Sequence, residues 1–245
     1  MATIRVLANA RQLIDALAEH GPLSPAEAAK LLEIPRPTVY RLAEALAAVD
    51  LVEPLPDSRL ALSHRWLRLA ESARLGLTEW EGAGEILDRL AESTRQTAFL
   101  SVPRRTGAVC VAWAQGYDVG ILLLRPGRSL PYHAGAAGRV LLALAHPNPD
   151  EFLEGAPFES FTAETMTEAA SLSRDLDEIR ARGYSVSDED VTVGVGAVGM
   201  PVRDASGQVI AALSLSGFAG EIAAKRDEYV AATFEAVAEL EVLNS

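Results

Sequence analysis

Residues 24–48 read SPAEAAKLLEIPRPTVYRLAEALAA. Ser24 can cap a helix, Pro25 suits its first turn, and Glu27 completes the Ser-x-x-Glu capping box. Ala28, Leu31 and Leu32 form the inner face of that short helix. Glu33-Ile34-Pro35 breaks the chain, and Pro37 falls in the first turn of the next helix, where its missing N–H is not needed. Val39, Leu42, Ala43 and Leu46 then share one face. At about 100° per residue, Arg41 and Glu44 project from the opposite face, with Thr38 and Tyr40 on the flanks. Helix, tight break and a second helix with a polar start form the pattern of a helix-turn-helix, whose second helix enters the DNA major groove by its N-terminal end. Arg36, Thr38, Tyr40 and Arg41 are the candidate contacts, because Arg pairs with guanine and Thr or Tyr reaches phosphate or a thymine methyl.

Working outward, Val6, Leu7, Leu13, Ile14, Leu17 and Ala18 repeat at helical spacing and predict a helix ending near His20-Gly21-Pro22. Downstream, Leu51–Leu55 and Arg59–Leu62 flank the turn Pro56-Asp57-Ser58. They predict a short hairpin, a wing, with Arg59 at its tip to meet phosphate or the minor groove. Residues 64–75 are amphipathic, with Trp66, Leu69 and Ala73 on one face, and Gly76 closes them. The chain therefore divides into a winged helix-turn-helix at 1–63, a linker helix at 64–76 and a larger part at 77–245.

The charge distribution agrees with that division. The 245 residues carry a net charge of −12. Residues 1–76 hold nine basic and nine acidic side chains, so all the negative charge lies beyond them. A neutral head can bind phosphates if its arginines cluster, whereas an acidic body is repelled by DNA. Cys110 is the only cysteine, which excludes an internal disulfide and fits a reducing compartment. The N-terminus lacks the apolar core of a signal peptide and no stretch reaches 18 apolar residues. A soluble cytoplasmic protein with no membrane span is expected.

Beyond the linker, a helix is predicted from Thr78 to Thr94. Strands follow at Ala98–Val102, Ala108–Trp113 and Val119–Leu124, with turns at 103–107 and 126–127. Gly135-Ala136-Ala137-Gly138 opens a helix. Residues 147–167 look irregular, with helical pieces, Leu172–Arg182 is helical, and strands at Val202 and Val209–Leu215 surround the turn at 204–207. A last helix is expected over Ala223–Leu243. Hairpins with flanking helices predict an α+β fold with a central antiparallel sheet.

Chemical motifs are sparse. Gly194-Val195-Gly196-Ala197-Val198-Gly199 matches G-x-G-x-x-G, but Pro201 opposes the helix that a dinucleotide site requires. The glycines rather permit a close backbone approach, to a ligand or a packed strand. Cys110, between Val109 and Val111, reads as a buried small hydrophobe. His133 and His146 have no Cys or His at ligand spacing, so no metal is expected. There is no G-x-S-x-G elbow and no catalytic residue is assigned. Ser214 and Ser216 share one face of a strand, either toward solvent or as donors in a pocket. The glycine turn before Ala136 leaves backbone N–H groups at a helix start, which suits a carboxylate. It also reads as an ordinary glycine-closed helix start.

Together these residues make the chain resemble the IclR family of bacterial transcriptional regulators over nearly its full length. The head match centres on Ile34–Leu42. Leu130-Pro131-Tyr132-His133-Ala134-Gly135-Ala136-Ala137-Gly138-Arg139-Val140-Leu141-Leu142-Ala143 looks like the family's Pro-x-His…Gly-(Lys/Arg)…Leu-Ala run. Leu176–Tyr184, Gly194, Pro201-Val202 and Ala212–Gly217 follow in family order. The resemblance implies a winged helix-turn-helix joined by a linker helix to a GAF-like, profilin-like effector-binding domain. It further implies a homodimer or dimer of dimers on double-stranded operator DNA, controlled by an aliphatic or aromatic carboxylic acid, with no cofactor.

In family members with such ligands, the carboxylate lies against the turn matching Ala136 and Ala137, and the strand serines matching Ser214 and Ser216 contact it. Leu130 matches an apolar wall, and His133 is carried over with the same run. Ser187 stands where glyoxylate-type members have a pocket aspartate, and Ala197 where they have a cysteine. Pro37 replaces a recognition-helix serine, Ala61 a wing arginine and Ser63 a glycine. These departures leave a less negative pocket that still suits an anion. The competing readings are a small-molecule enzyme with a helix-turn-helix head, which needs a nucleophile or an acid/base pair, and a head that binds protein instead of DNA.

Overall fold

The computed structural model describes residues 5–75, 80–117 and 124–243. The chain forms two compact units, residues 1–77 and 78–245.

In the first unit, α1 (Arg5–His20) ends at Gly21, whose φ of 74° turns the chain. The capping box of α2 (Pro25–Leu31) is complete. Ser24 Oγ accepts the Glu27 N–H at 3.2 Å, and the Glu27 carboxylate accepts the Ser24 N–H at 2.8 Å. After the break comes α3 (Arg36–Ala48), burying Val39, Leu42, Ala43 and Leu46 against Leu13, Leu17 and Ala28. Each large apolar side chain so buried contributes about 1.5–3 kcal/mol. The wing consists of β1 (Val52–Pro54) and β2 (Leu60–Leu62), paired antiparallel. Leu60 also exchanges two backbone hydrogen bonds with Leu23, at 2.7 and 3.1 Å, so the hairpin is fastened to the α1–α2 connection.

The linker helix is α4 (Arg65–Leu75). Its start closes over the end of α3: Arg65 Nη1 and Trp66 Nε1 donate to the Val49 and Leu51 carbonyls at 2.6 and 2.7 Å, and Ser63 Oγ donates to that of Asp50. Of the expected apolar face, only Trp66 is anchored in this way; Leu69 and Ala73 remain exposed in this unit.

The second unit is α+β. Its antiparallel sheet has the order β5-β4-β3-β8-β7-β6, formed by β3 (Thr97–Arg104), β4 (Gly107–Ala114), β5 (Ser129–Leu130), β6 (Ser185–Asp188), β7 (Val195–Arg203) and β8 (Val209–Phe218). One face carries α5 (Ala83–Thr94), α9 (Ala219–Ala224) and α10 (Arg226–Leu243); the other carries α6 (Ala136–Leu144) and α8 (Ala169–Arg182). A short α7 (Pro149–Leu153) lies in the irregular stretch. No helix among the described residues is long and apolar enough to cross a membrane.

Four expectations need correction or fall outside this description. The helix expected from Thr78 begins at Ala83, because Gly82 at φ 90° turns the chain there. The strand expected at Val119–Leu124 falls mostly on 118–123, outside the described residues, and Leu124 itself is not in a strand. The final helix breaks at Lys225, where φ is −111° and ψ 23°. That turn lets Ile222 pack beside Gly196 while Tyr229 reaches Gln96. Finally, β6 and most of β7 lie where no strand was expected, since small residues give little periodic signal there.

Candidate functional site

The outward surface of α3 is polar. Arg36, Tyr40 and Arg41 are exposed, and Thr38 is half-buried. Neither arginine is paired with a described acidic residue. The helix start offers little backbone: Pro37 has no N–H, and the Pro35 carbonyl takes those of Thr38 and Val39 at 2.8 and 3.3 Å. Contacts from this end must therefore come from side chains. Arg59 is less free than its place at the wing tip suggested. Its Nε lies 2.6 Å from Asp57 Oδ2 and its N–H reaches the same carboxylate at 3.1 Å. Both partners are about half exposed, so the pair is worth little and a phosphate can displace it.

In the second unit the sheet face under α6 carries two cross-strand rows. Thr97, Ser216, Ala197 and Ser187 stand in one, and Phe99, Ser214, Gly199 and Ser185 in the next. Residues directly opposite across strands share a face, which brings hydroxyls from three of the four strands together. Gly199 is what lets α6 settle onto them. A Cβ there would stand 2.9 Å from the Ala136 carbonyl carbon and 3.0 Å from its Cβ. Ser185 Oγ ties the same residue down, donating to the Ala136 carbonyl at 2.6 Å. The glycine run is thus a strand shaped for close approach.

Above the rows lies a cavity with about 530 Å³ of empty space, solvent at its mouth included. About 60 Å³ of it admits the centre of a water-sized sphere. At about 10–15 Å³ for one such sphere, that is room for a small molecule. Leu130, Ala136, Ala137, Ser187, Ala197, Ser214 and Ser216 all line it, joined by Phe99, Leu124, Gly135, Val191, Thr192 and Val195. None of these is charged. No side chain caps α6, so the Ala136 and Ala137 N–H groups, which have no intrahelical acceptor, border the space. Ser214 is 3% exposed, and the hydroxyls of Ser214 and Ser216 make no side-chain hydrogen bond among the described residues, although both backbones are paired in the sheet.

Beneath the wall is a buried charge network that the sequence did not announce. Arg139, 1% exposed, donates from Nη1 to Asp175 at 2.6 Å and from Nη2 to the Val186 carbonyl at 2.7 Å. Its Nη2 also lies 3.1 Å from Asp190 Oδ2, which accepts the Gly135 N–H at 3.1 Å. Ser187 Oγ donates to Asp190 Oδ1. The Asp188-Glu189-Asp190 run reads as a solvated turn, so nothing local marked Asp190.

Two other residues lie apart from this cavity. His133 does not line it. Its ring stacks on Phe158 and Phe161, at 4.9 and 6.0 Å between centroids, and Nε2 bonds the Glu159 carbonyl at 2.8 Å. The Pro-x-His run placed it near the turn, but its side chain belongs to an aromatic cluster. Cys110 is fully buried, and burial pushes its thiol up to about 12 despite a bond to the Ala112 carbonyl. Among the described residues no cluster of His, Cys, Asp or Glu can hold a metal.

Residues 80–241 match the family model for the IclR C-terminal domain of bacterial transcriptional regulators, and residues 6–56 match that for the IclR helix-turn-helix domain. The chain is 32% identical over 220 residues to the HTH-type transcriptional regulator BhcR of Paracoccus denitrificans, covering 87% of this chain and 77% of that one. It is 28% identical over 219 residues to the HTH-type transcriptional regulator XynR of Escherichia coli K12, covering 88% and 87%. Among solved structures, an IclR homolog from Microbacterium hydrocarbonoxydans complexed with 4-hydroxybenzoate superposes with a TM-score of 0.79 at 22% identity, over 97% of this chain and 98% of that one.

Proposed function

The chain belongs to the IclR family of bacterial transcriptional regulators, and on that premise we propose that a small carboxylic acid, held at the start of α6, governs binding of its first unit to operator DNA. As a regulator with a helix-turn-helix, the chain is a DNA-binding protein and not an enzyme. The observation that carries the ligand reading is the pairing of an uncapped helix start with two unpartnered serines in an uncharged cavity. Backbone N–H groups at a helix start attract an anion, and Ser214 and Ser216 add donors from the sheet. The solved relative holding 4-hydroxybenzoate supports an acid as the ligand class. The effector site then comprises Leu130, Ala136, Ala137, Ser187, Ala197, Ser214 and Ser216, with His133 acting only through the packing of the turn.

DNA contact falls to Arg36, Thr38, Tyr40 and Arg41, with Arg59 after release from Asp57. The protein acts as a homodimer or dimer of dimers on a palindromic site, as family membership suggests. A footprint on the DNA beside its own gene tests the head. Protection at low salt is expected, and Arg41→Ala should weaken it by about 1–3 kcal/mol if Arg41 reads a guanine. A thermal-shift screen of carboxylic acids tests the cavity, since a bound ligand raises stability with the logarithm of its concentration over Kd. Ser214→Ala should abolish that shift while leaving operator affinity intact. A screen in which no acid shifts the melting temperature would defeat the ligand reading.

A further inference from the structure

We infer that Ser187, oriented by the buried Asp190, makes the cavity select hydroxy acids over oxo acids of matching length. The inference rests on the acid-binding reading above and adds what the ligand's second polar group must be. Ser187 has one hydrogen, and it is spent on Asp190 Oδ1. Asp190 cannot be the donor in that contact. Its other oxygen faces the Gly135 N–H and the Arg139 guanidinium, each at 3.1 Å, so it is a carboxylate ringed by donors. An ionised carboxylate only accepts. What Ser187 presents to the cavity is therefore a pair of oxygen lone pairs.

The cavity is thereby polarised. Ala136, Ala137, Ser214 and Ser216 offer donors and take a carboxylate. Ser187, in the same wall, offers an acceptor and asks for a second polar group that donates. A hydroxyl supplies one. A ketone or aldehyde oxygen set there would face lone pairs and lose its hydrogen bond to water without replacement. An ammonium group also donates, but no lining residue carries a charge to balance it, and an unpaired buried cation is costly. Thr192, the remaining hydroxyl in the wall, makes no side-chain hydrogen bond among the described residues and, like Ser214 and Ser216, can donate or accept, so only Ser187 has its polarity fixed. Asp190 thus acts on the cavity through the serine.

Isothermal titration of the full chain with three matched pairs tests this: lactate against pyruvate, 3-hydroxybutanoate against acetoacetate, and 4-(hydroxymethyl)benzoate against 4-formylbenzoate. The pairs differ in the span from carboxylate to oxygen. In the pair whose span fits, the hydroxy acid should bind about tenfold tighter, the worth of one good hydrogen bond. Ser187→Ala should bring the two members to within about twofold of each other. Asp190→Asn provides a second check. Its amide can donate to Ser187 and free the hydroxyl hydrogen, so preference should move toward the oxo acid while Asp175 still pairs with Arg139. Equal or tighter binding of the oxo member in every pair that binds overturns the inference, as does a preference unchanged in Ser187→Ala. Those outcomes leave acid binding itself standing. If neither member of any pair binds, the acid-binding reading fails and this inference with it.

Discussion

Arg139 is the side chain whose removal should cost the second unit most. It is buried with Asp175 and Asp190, and Asp190 is held by further hydrogen bonds from Gly135 and Ser187. Breaking a buried pair by removing one member leaves the other charge uncompensated, at about 3–5 kcal/mol. Arg139→Met should lower stability by that amount in a urea melt, and a loss under about 1 kcal/mol would contradict the network. Glu27 shows the opposite case, an exposed carboxylate. Hydrogen bonds from the Ser24 side chain and backbone, aided by Arg59, hold its folded pKa below the ordinary 4.5. A depressed folded value means the stabilisation is full above 4.5 and fades as pH falls through the folded value. The melting-temperature gap between wild type and Glu27→Ala should therefore be widest at neutral pH and shrink below 4.5. A gap independent of pH would show that the capping box contributes nothing through charge. The Ser24–Glu27 pair is legible in sequence because its members are three residues apart. The partners of Arg139 are not, since Asp175 lies 36 residues on.

At the scale of elements, Gly199 decides whether the cavity beside α6, the proposed ligand site, takes its shape. The contact of β7 with the start of α6 leaves no room for a methyl group. Gly199→Ala should push Ala136 off the sheet, lower stability by about 1–3 kcal/mol as an overpacked substitution, and remove the thermal shift given by the acid. Retention of that shift would show that α6 need not sit so low. The glycine run was readable as a place of close approach. Which backbone it approached was not, because α6 arrives from more than fifty residues earlier in the chain. The same limit hid β6 and most of β7. Alternation of small residues carries little hydrophobic signal, and it is the pairing of β7 with β8 and of β6 with β7 that makes the strands. By contrast, α2, α3 and the wing declared themselves through caps, prolines and turn residues. Those signals act within a few residues.

For the whole molecule, the neutral first unit and the acidic second unit make a prediction about salt. Each phosphate contact contributes a slope of about −0.9 to the logarithm of affinity against the logarithm of salt concentration. Arg36→Ala should reduce that slope by about 1 if its guanidinium meets a phosphate. Neutralising acidic residues of the second unit that lie away from the DNA should leave the slope near its original value. A slope that follows the charge of the second unit would mean that the body also meets DNA. Sequence alone determined the functional class, the α+β architecture, the helix-turn-helix and wing, and most of the residues that line the cavity. It did so because caps, periodicity and ordered motifs are local and survive reading one residue at a time. Tertiary structure decided that Arg59 is held by Asp57, that His133 packs in an aromatic cluster, and that Asp190 turns Ser187 toward its carboxylate. Those outcomes depend on which side chain comes within hydrogen-bonding or packing distance of another, and that is settled only when the chain has folded.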